Sequence, residues 1–370
     1  MRICHISDSH LGAGELIGRR GINGFTERQE DIIRAFEESI DRIIALAPDI
    51  CLHSGDLFHQ VRPSNRLLAL VGHQLHRLAD EAGIPTVIIA GNHDSPRQPH
   101  VGAALDVFAH IKNLYVVAGS ELRTFQFDGA TIWAVPHCIS SDILSGQLEL
   151  CIPTDRRLPN ILMAHGVIEG MPQFKMAELG EQEIPTVVIN RFDYVAMGHY
   201  HNCLQVGPRA WYAGSTERLS QAERLSPKGF LEVCFEPFEV KFHEVTCREM
   251  IDVPVINAEG LRGDQILDLI ESRLELNNFE GKLARITIDG VSEEAIRTLP
   301  RERLSALKER AFDLNVRINR EQSAGLPEVG REAAGRLNQG FVEFLKTADL
   351  KGMNLGRLAQ MADRYLTGQD

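Results

Sequence analysis

Five short apolar runs in the first two hundred residues each end abruptly in polar residues. Val87-Ile88-Ile89-Ala90 gives way to Gly91-Asn92-His93-Asp94, residues 2–7 to Asp8-Ser9-His10, and residues 49–53 to Ser54-Gly55-Asp56. Farther along, residues 161–164 end in His165-Gly166, and residues 194–197 in Gly198-His199-Tyr200-His201. Apolar runs of this length predict buried strands, and glycine at a strand end permits a tight turn. In open α/β sheets the carboxyl ends of the strands are where ligands bind. Any one such ending also reads as a plain turn, because Asn and Asp favour turns by themselves.

Between these runs the periodicity becomes helical. Thr26-Glu27-Arg28-Gln29 matches a capping box, which predicts an amphipathic helix to about Ala47, stopped by Pro48. Ser64 caps a second predicted helix ending near Glu81, and a third is expected around residues 100–110. From about 113 to 245 most segments are short and strand-like, namely 115–118, 131–135, 211–213, 230–235 and 238–245 besides the two runs above. Residues 249–325 then alternate strand (251–256), helix (261–276), strand (283–288), helix (301–311) and strand (314–318), which predicts a small separate α+β module. In the tail, Phe341, Phe344 and Leu345, then Leu355, Leu358, Ala362 and Leu366, form the apolar faces of two short predicted helices. The expected domains are 1–248, a capping module at 249–325, and a linker with C-terminal helices at 326–370.

Composition narrows the class. No apolar run approaches the ~18 residues needed to span a membrane, and the chain enters its first strand with no signal-peptide pattern ahead of it. The seven cysteines are scattered without CxxC spacing; Cys4 and Cys51, inside apolar runs, read as small buried hydrophobes in a reducing cytoplasm. A net charge of −12 counts against a nucleic-acid partner, although local patches decide phosphate contacts. Between Arg301 and Arg320 six basic residues stand against three acidic ones. Arg301, Arg303 and Arg310 there, with Arg62 and the pair Arg19-Arg20 in the glycine-rich loop at 12–25, are the candidate DNA contacts.

The strand ends carry the chemistry. Asp8 and His10 are spaced i, i+2 and can face one cation together; His199 and His201 repeat that spacing. With Asp56, Asn92, His93 and His165 they make a mixed oxygen and nitrogen set, suited to Mn, Fe or Zn rather than to all-oxygen Ca or Mg. There are too many ligands for one tetrahedral site, and two metals bridged by a carboxylate are the natural count. His73 and His76, at i, i+3 on the second helix, have no further ligand near them and read as ordinary histidines.

The order D-x-H, G-D, G-N-H-D, H-G, G-H-x-H resembles the calcineurin-like metallophosphoesterases. HISDSHLG, HSGDLFHQVRPS, IIAGNHDSP, MAHG, GHYH and YAGSTERLS followed by KGF resemble more narrowly the SbcD-type, meiotic-recombination nuclease subunit of the double-strand-break repair complex, over about residues 1–245. The resemblance implies an α/β fold: a β-sandwich flanked by helices (αββα), with an α+β cap and a helical tail. It implies two Mn2+, with Fe, Zn or Mg as alternatives, one held by Asp8, His10, Asp56 and His201 and the other by Asp56, Asn92, His165 and His199. His93 would sit beside the scissile phosphate, stabilising the transition state or protonating the leaving oxygen, with His59 as its partner. The implied activity is 3′-5′ exonuclease and single-strand endonuclease cleavage of DNA. The implied partners are an SMC-like, SbcC-type ABC ATPase, whose coiled coil the tail would grip, and a second copy of the chain. The loop at 12–25 is longer and richer in glycine than the family pattern. Two other functions use the same blocks, a small-nucleotide phosphodiesterase or phosphatase and a non-catalytic scaffold for the ATPase.

Overall fold

The computed structural model describes residues 1–320 apart from 19, 97–100, 154 and 171–181, together with Phe341 and Phe344. The chain begins with β1 (Arg2–Ile6), α1 (Glu27–Leu46), β2 (Ile50–His53), α2 (Asn65–His76), β3 (Thr86–Ile89) and β4 (Leu114–Val117). There follow β5 (Arg123–Gln126), β6 (Thr131–Val135), α3 (Ser141–Glu149), β7 (Asn160–His165) and the short parallel pair β8 (Val167–Ile168) and β9 (Glu183–Ile184). Next come α4 (Thr186–Ile189), β10 (Tyr194–Gly198), β11 (Leu204–Gly207), β12 (Ala210–Tyr212), β13 (Gly229–Phe235) and β14 (Phe238–Glu244).

Two six-stranded sheets result, ordered β14-β13-β1-β2-β3-β4 and β11-β12-β10-β7-β6-β5. Strands β1 to β4 run parallel, as do β12, β10, β7 and β6, while antiparallel strands finish the edges. Ile3, Leu52, Val87 and Ile89 of the first sheet share a buried core with Ile132, Met163, Tyr194 and Ala196 of the second. On its other face the first sheet packs against Ile32, Phe36 and Ile40 of α1 and Leu67, Val71 and Leu75 of α2. The second packs against Leu144 and Leu148 of α3 and Val188 of α4. The layers are αββα, as expected. Parallel strands covered on both faces have no polar side to show, which is why they read as nearly continuous apolar runs, interrupted in β1 and β2 by the buried His5 and His53.

Local signals set the helix ends. Thr26 and Gln29 form the reciprocal capping box, and α1 stops with Ala47 in a left-handed conformation before Pro48. Ser64 caps α2 through Leu67 N, and the helix runs on as a π-helical turn to Glu81. The expected helix around 100–110 is only a 3₁₀ turn over Ala104–Phe108, preceded by Gly102 at φ 69°. Helix α3, capped by Ser140, lies in the stretch expected to be mostly strands; just Leu144 and Leu148, one turn apart, are buried on it.

Farther along lie β15 (Met250–Asn257), α5 (Gly263–Leu276), β16 (Leu283–Val291), α6 (Glu293–Thr298), α7 (Arg301–Arg310) and β17 (Asp313–Arg320), the three strands forming one sheet. The expected alternation holds, with α6 added. The chain packs as two compact units. One comprises Met1–Val253, Leu274–Arg285 and Ser305–Asn315; the other comprises Pro254–Arg273, Ile286–Leu304 and, among the described residues, 316–320 with Phe341 and Phe344. The predicted tail helices lie outside the described residues, save that Phe341 and Phe344 are helical. No helix of the described residues is long and apolar enough to cross a membrane.

Candidate metal centre

The polar strand ends converge. Asp8 and His10 follow β1, Asp56 follows β2, Asn92 and His93 follow β3, His165 closes β7, and His199 and His201 follow β10. The two sheets are tied together here. Ser54 Oγ donates to the Ala196 carbonyl at 3.0 Å, His165 Nδ1 donates to the Ser54 carbonyl at 2.9 Å, and His199 N donates to the Asp8 carboxylate at 3.0 and 3.1 Å.

The backbone is strained at this edge. Asp8, His10, Asp56 and His199 have φ of 50°, 42°, 54° and 102°. Such conformations cost about 1–3 kcal/mol each and persist only where surroundings impose them. Here Asp8 N donates to the Gly55 carbonyl and His10 N to that of Asp56, each at 3.0 Å. Gly91 is required for another reason: a Cβ there would collide with Asp56 Oδ1.

Asp56 occupies the middle. Its Oδ2 lies 3.5 Å from His10 Nε2 and 3.4 Å from His165 Nε2, while Oδ1 accepts from His93 N at 2.8 Å. On one side His10 Nε2 is 3.1 Å from His201 Nε2; on the other, Asn92 Oδ1 is 3.0 Å from His165 Nε2 and 3.1 Å from His199 Nδ1. Three trios each bring their ligand atoms within 4.8 Å of one another: Asp8, His10 and His201; Asp8, Asp56 and His165; His10, His59 and His93. Asp8 therefore adjoins both sides of Asp56.

The donor chemistry fits divalent cations. Asp8, Asp56 and His165 are almost wholly buried. Burial pushes the Asp8 carboxyl up; it would do the same to Asp56, but the imidazoles of His165, His10 and His93 together hold that carboxyl well below its usual range. Burial alone would lower His165, but Asp56 and Asp8 overcome it and raise the imidazole to about 9. Carboxylate, amide and imidazole donors suit a transition metal.

His93 and His59 form a pair beside this centre. Their rings stack with centroids 5.2 Å apart and planes at 18°, and His93 Nδ1 donates to the His59 carbonyl at 2.9 Å. The partnership therefore runs through the backbone and ring faces, and His59 Nδ1 lies instead 3.3 Å from His10 Nδ1. Burial first, then His93, lowers the His59 imidazole.

Several contributors went unnoticed in the sequence. Asp94, fully buried, accepts from the backbone N–H of Leu57, Phe58 and Gly91 at 3.0, 2.9 and 3.2 Å, clamping the β2 and β3 turns together. Burial and the charge of Asp56 push it up to about 7. His137, its ring centroid 6.5 Å from that of His165, follows the apolar β6 and obeys the same strand-end rule. Glu223 Oε1 meets His201 Nδ1 at 3.2 Å.

The candidate DNA contacts are scattered. Arg62 lines a cavity of about 210 Å³ with Leu11, Gln29, Gln60 and Leu67, and has no hydrogen bond or ion pair among the described residues. Arg20 donates to the Gly24 carbonyl, and Arg19 lies outside the described residues. Arg303 is held by Asp268 and Glu271 at 2.9 and 2.6 Å, and Arg310 by Glu275 and Glu280, each at 2.7 Å. Arg301 is exposed, with no such pairing among the described residues. His76 pairs with Asp80 at 3.3 Å on its own helix.

Comparison with known proteins agrees with this geometry. The chain is 29% identical over 301 residues to the DNA double-strand break repair protein Mre11 of Haloferax volcanii, a match covering 79% of this chain and 62% of that protein. It is 30% identical over 233 residues to the protein of the same name from Thermoplasma acidophilum, covering 59% and 57%, and 27% identical over 336 residues to that of Methanococcus maripaludis, covering 78% and 82%. The chain thus spans about three fifths of the length of the first two. Residues 1–203 match the calcineurin-like phosphoesterase family, the part of the chain that carries every converging strand end, and the chain belongs to that family.

Proposed function

We propose that this protein is a metal-dependent DNA nuclease of double-strand-break repair, with a dinuclear centre holding Mn2+. The observation that carries the reading is the position of the Asp56 carboxylate between His10 and His201 on one side and Asn92, His165 and His199 on the other. Asp8, His10, Asp56 and His201 would hold one cation, and Asp56, Asn92, His165 and His199 the second. When bound, the cations would clamp the phosphate and acidify the attacking water. With its Nδ1–H engaged by the His59 carbonyl, His93 keeps Nε2 to exchange a proton with the leaving oxygen. His59, stacked on it, fixes the ring plane.

The names of the relatives favour DNA over small nucleotides. The SMC-like ATPase with its coiled coil, the homodimer and a cytoplasmic setting complete the proposal; the free state of all seven cysteines suits a reducing compartment. The test is purified protein with Mn2+ on an end-labelled oligonucleotide beside a chromogenic phosphodiester. Cleavage of both is expected. Cleavage of the chromogenic ester alone would establish the small-nucleotide reading instead, and cleavage of neither the scaffold.

A further inference from the structure

The YAGSTERLS…KGF block, distinctive in the sequence, has no part in the proposed ligand set, yet in the fold it surrounds one ligand. Lys228, with its side chain wholly buried, donates from Nζ to the His201 carbonyl at 2.7 Å, to Ser215 Oγ at 2.9 Å and to Glu223 Oε2 at 2.6 Å. Glu223 presents its other oxygen to His201 Nδ1 at 3.2 Å, steadied by Ser220 Oγ at 2.9 Å, while Leu219 N donates to Oε2 at 3.2 Å. Ser215 N adds a bond to the His201 carbonyl at 2.9 Å. One buried ammonium therefore holds His201 at both ends, directly through its backbone and through Glu223 at its ring.

We infer that Glu223, clamped by Lys228, is a positioning residue that sets the tautomer and ring orientation of His201, and through it the affinity of one of the two cation positions. The inference rests on the dinuclear reading above. A carboxylate only accepts, so Nδ1 carries the proton and Nε2, the atom 3.1 Å from His10 Nε2, presents its lone pair to the centre. Two of the other proposed histidine ligands are backed differently: His165 Nδ1 by the Ser54 carbonyl, His10 Nδ1 by the His59 ring. A carboxylate behind imidazole makes it a stronger donor than a carbonyl does. The Glu223–Lys228 pair should accordingly favour the Asp8/His10/Asp56/His201 position over the other.

The experiment is a Mn2+ titration of metal-free protein by calorimetry, with 15N spectra of the histidine rings in the same metal-free samples. Wild type is compared with Glu223→Gln and with the double variant Glu223→Leu/Lys228→Met, which removes both buried charges together so that neither is stranded. We expect two Mn2+ in wild type. In the double variant one should be weakened roughly 10–100-fold and the other unchanged, with Glu223→Gln, which retains an acceptor, in between. The His201 ring should be the Nδ1–H tautomer in wild type and shift towards Nε2–H in the double variant. Equal weakening of both positions, or an unchanged tautomer and isotherm, would overturn the inference. Should wild type bind fewer than two Mn2+, the dinuclear reading fails, and the tautomer alone then decides the role of Glu223. If the double variant does not fold, Glu223→Gln and the wild-type tautomer carry the decision.

Discussion

His93 stacks on His59 while its Nδ1 is tied to the His59 carbonyl, so one residue holds the His93 ring by both its face and its edge beside Asp56. His93→Ala removes the proposed proton donor and leaves the proposed ligands in place. It should lower Mn2+-dependent hydrolysis by roughly 10²–10⁴-fold, the range for a lost general acid. Metal content by atomic emission should stay near the wild-type value. Loss of a metal would make His93 a ligand, in keeping with its closeness to His10.

Asp56→Asn and His201→Ala strike the centre itself. Each should reduce bound Mn2+ as well as activity, and Asp56→Asn should disturb both positions because its oxygen faces both groups of ligands. Dialysis of wild type against a chelator should abolish hydrolysis, and Mn2+ should restore it. Restoration by Zn2+ but not by Mn2+ would contradict the metal assignment.

Asp94 is expected to matter for stability more than for chemistry. Asp94→Ala strands three buried N–H groups at the turns after β2 and β3. A buried donor left unsatisfied costs about 1–3 kcal/mol. We expect a loss of about 3 kcal/mol and a Tm roughly 5 °C lower. A melting curve matching wild type would show that water replaces the carboxylate without cost.

Arg62 and Arg303 separate free from committed charge. Arg303 is already neutralised by Asp268 and Glu271, whereas Arg62 has no ion pair among the described residues. Arg62→Ala should lower the slope of log affinity for DNA against log salt by about 1, and Arg303→Ala should leave it unchanged. Fluorescence anisotropy at a series of salt concentrations measures both. The reverse result would place the DNA on α7 rather than beside the α2 cap.

Read alone, the chain indicated the central strands of both sheets, its long helices and the polar residues at the strand ends, but not β5, β8, β9, β11 or α3. Parallel strands buried on both faces are mostly apolar, so a run of polar residues at the end of each is conspicuous, and Thr26 and Ser64 mark helix starts through bonds to neighbours in sequence. The contacts that organise the centre were not legible, because they join residues far apart in the chain. Asp94 reads as one more turn residue until its oxygens meet Leu57 and Phe58, 37 and 36 positions away. Glu223 carries no signal of its own in the sequence and Lys228 only a place in the KGF motif; the fold buries both behind His201. Arg303 and Arg310 read as a basic patch until α5 and the segment after it bring carboxylates to them. Side-chain type and local spacing are properties of sequence; burial and the partner across the fold, which set charge state and role, exist only once the sheets have packed.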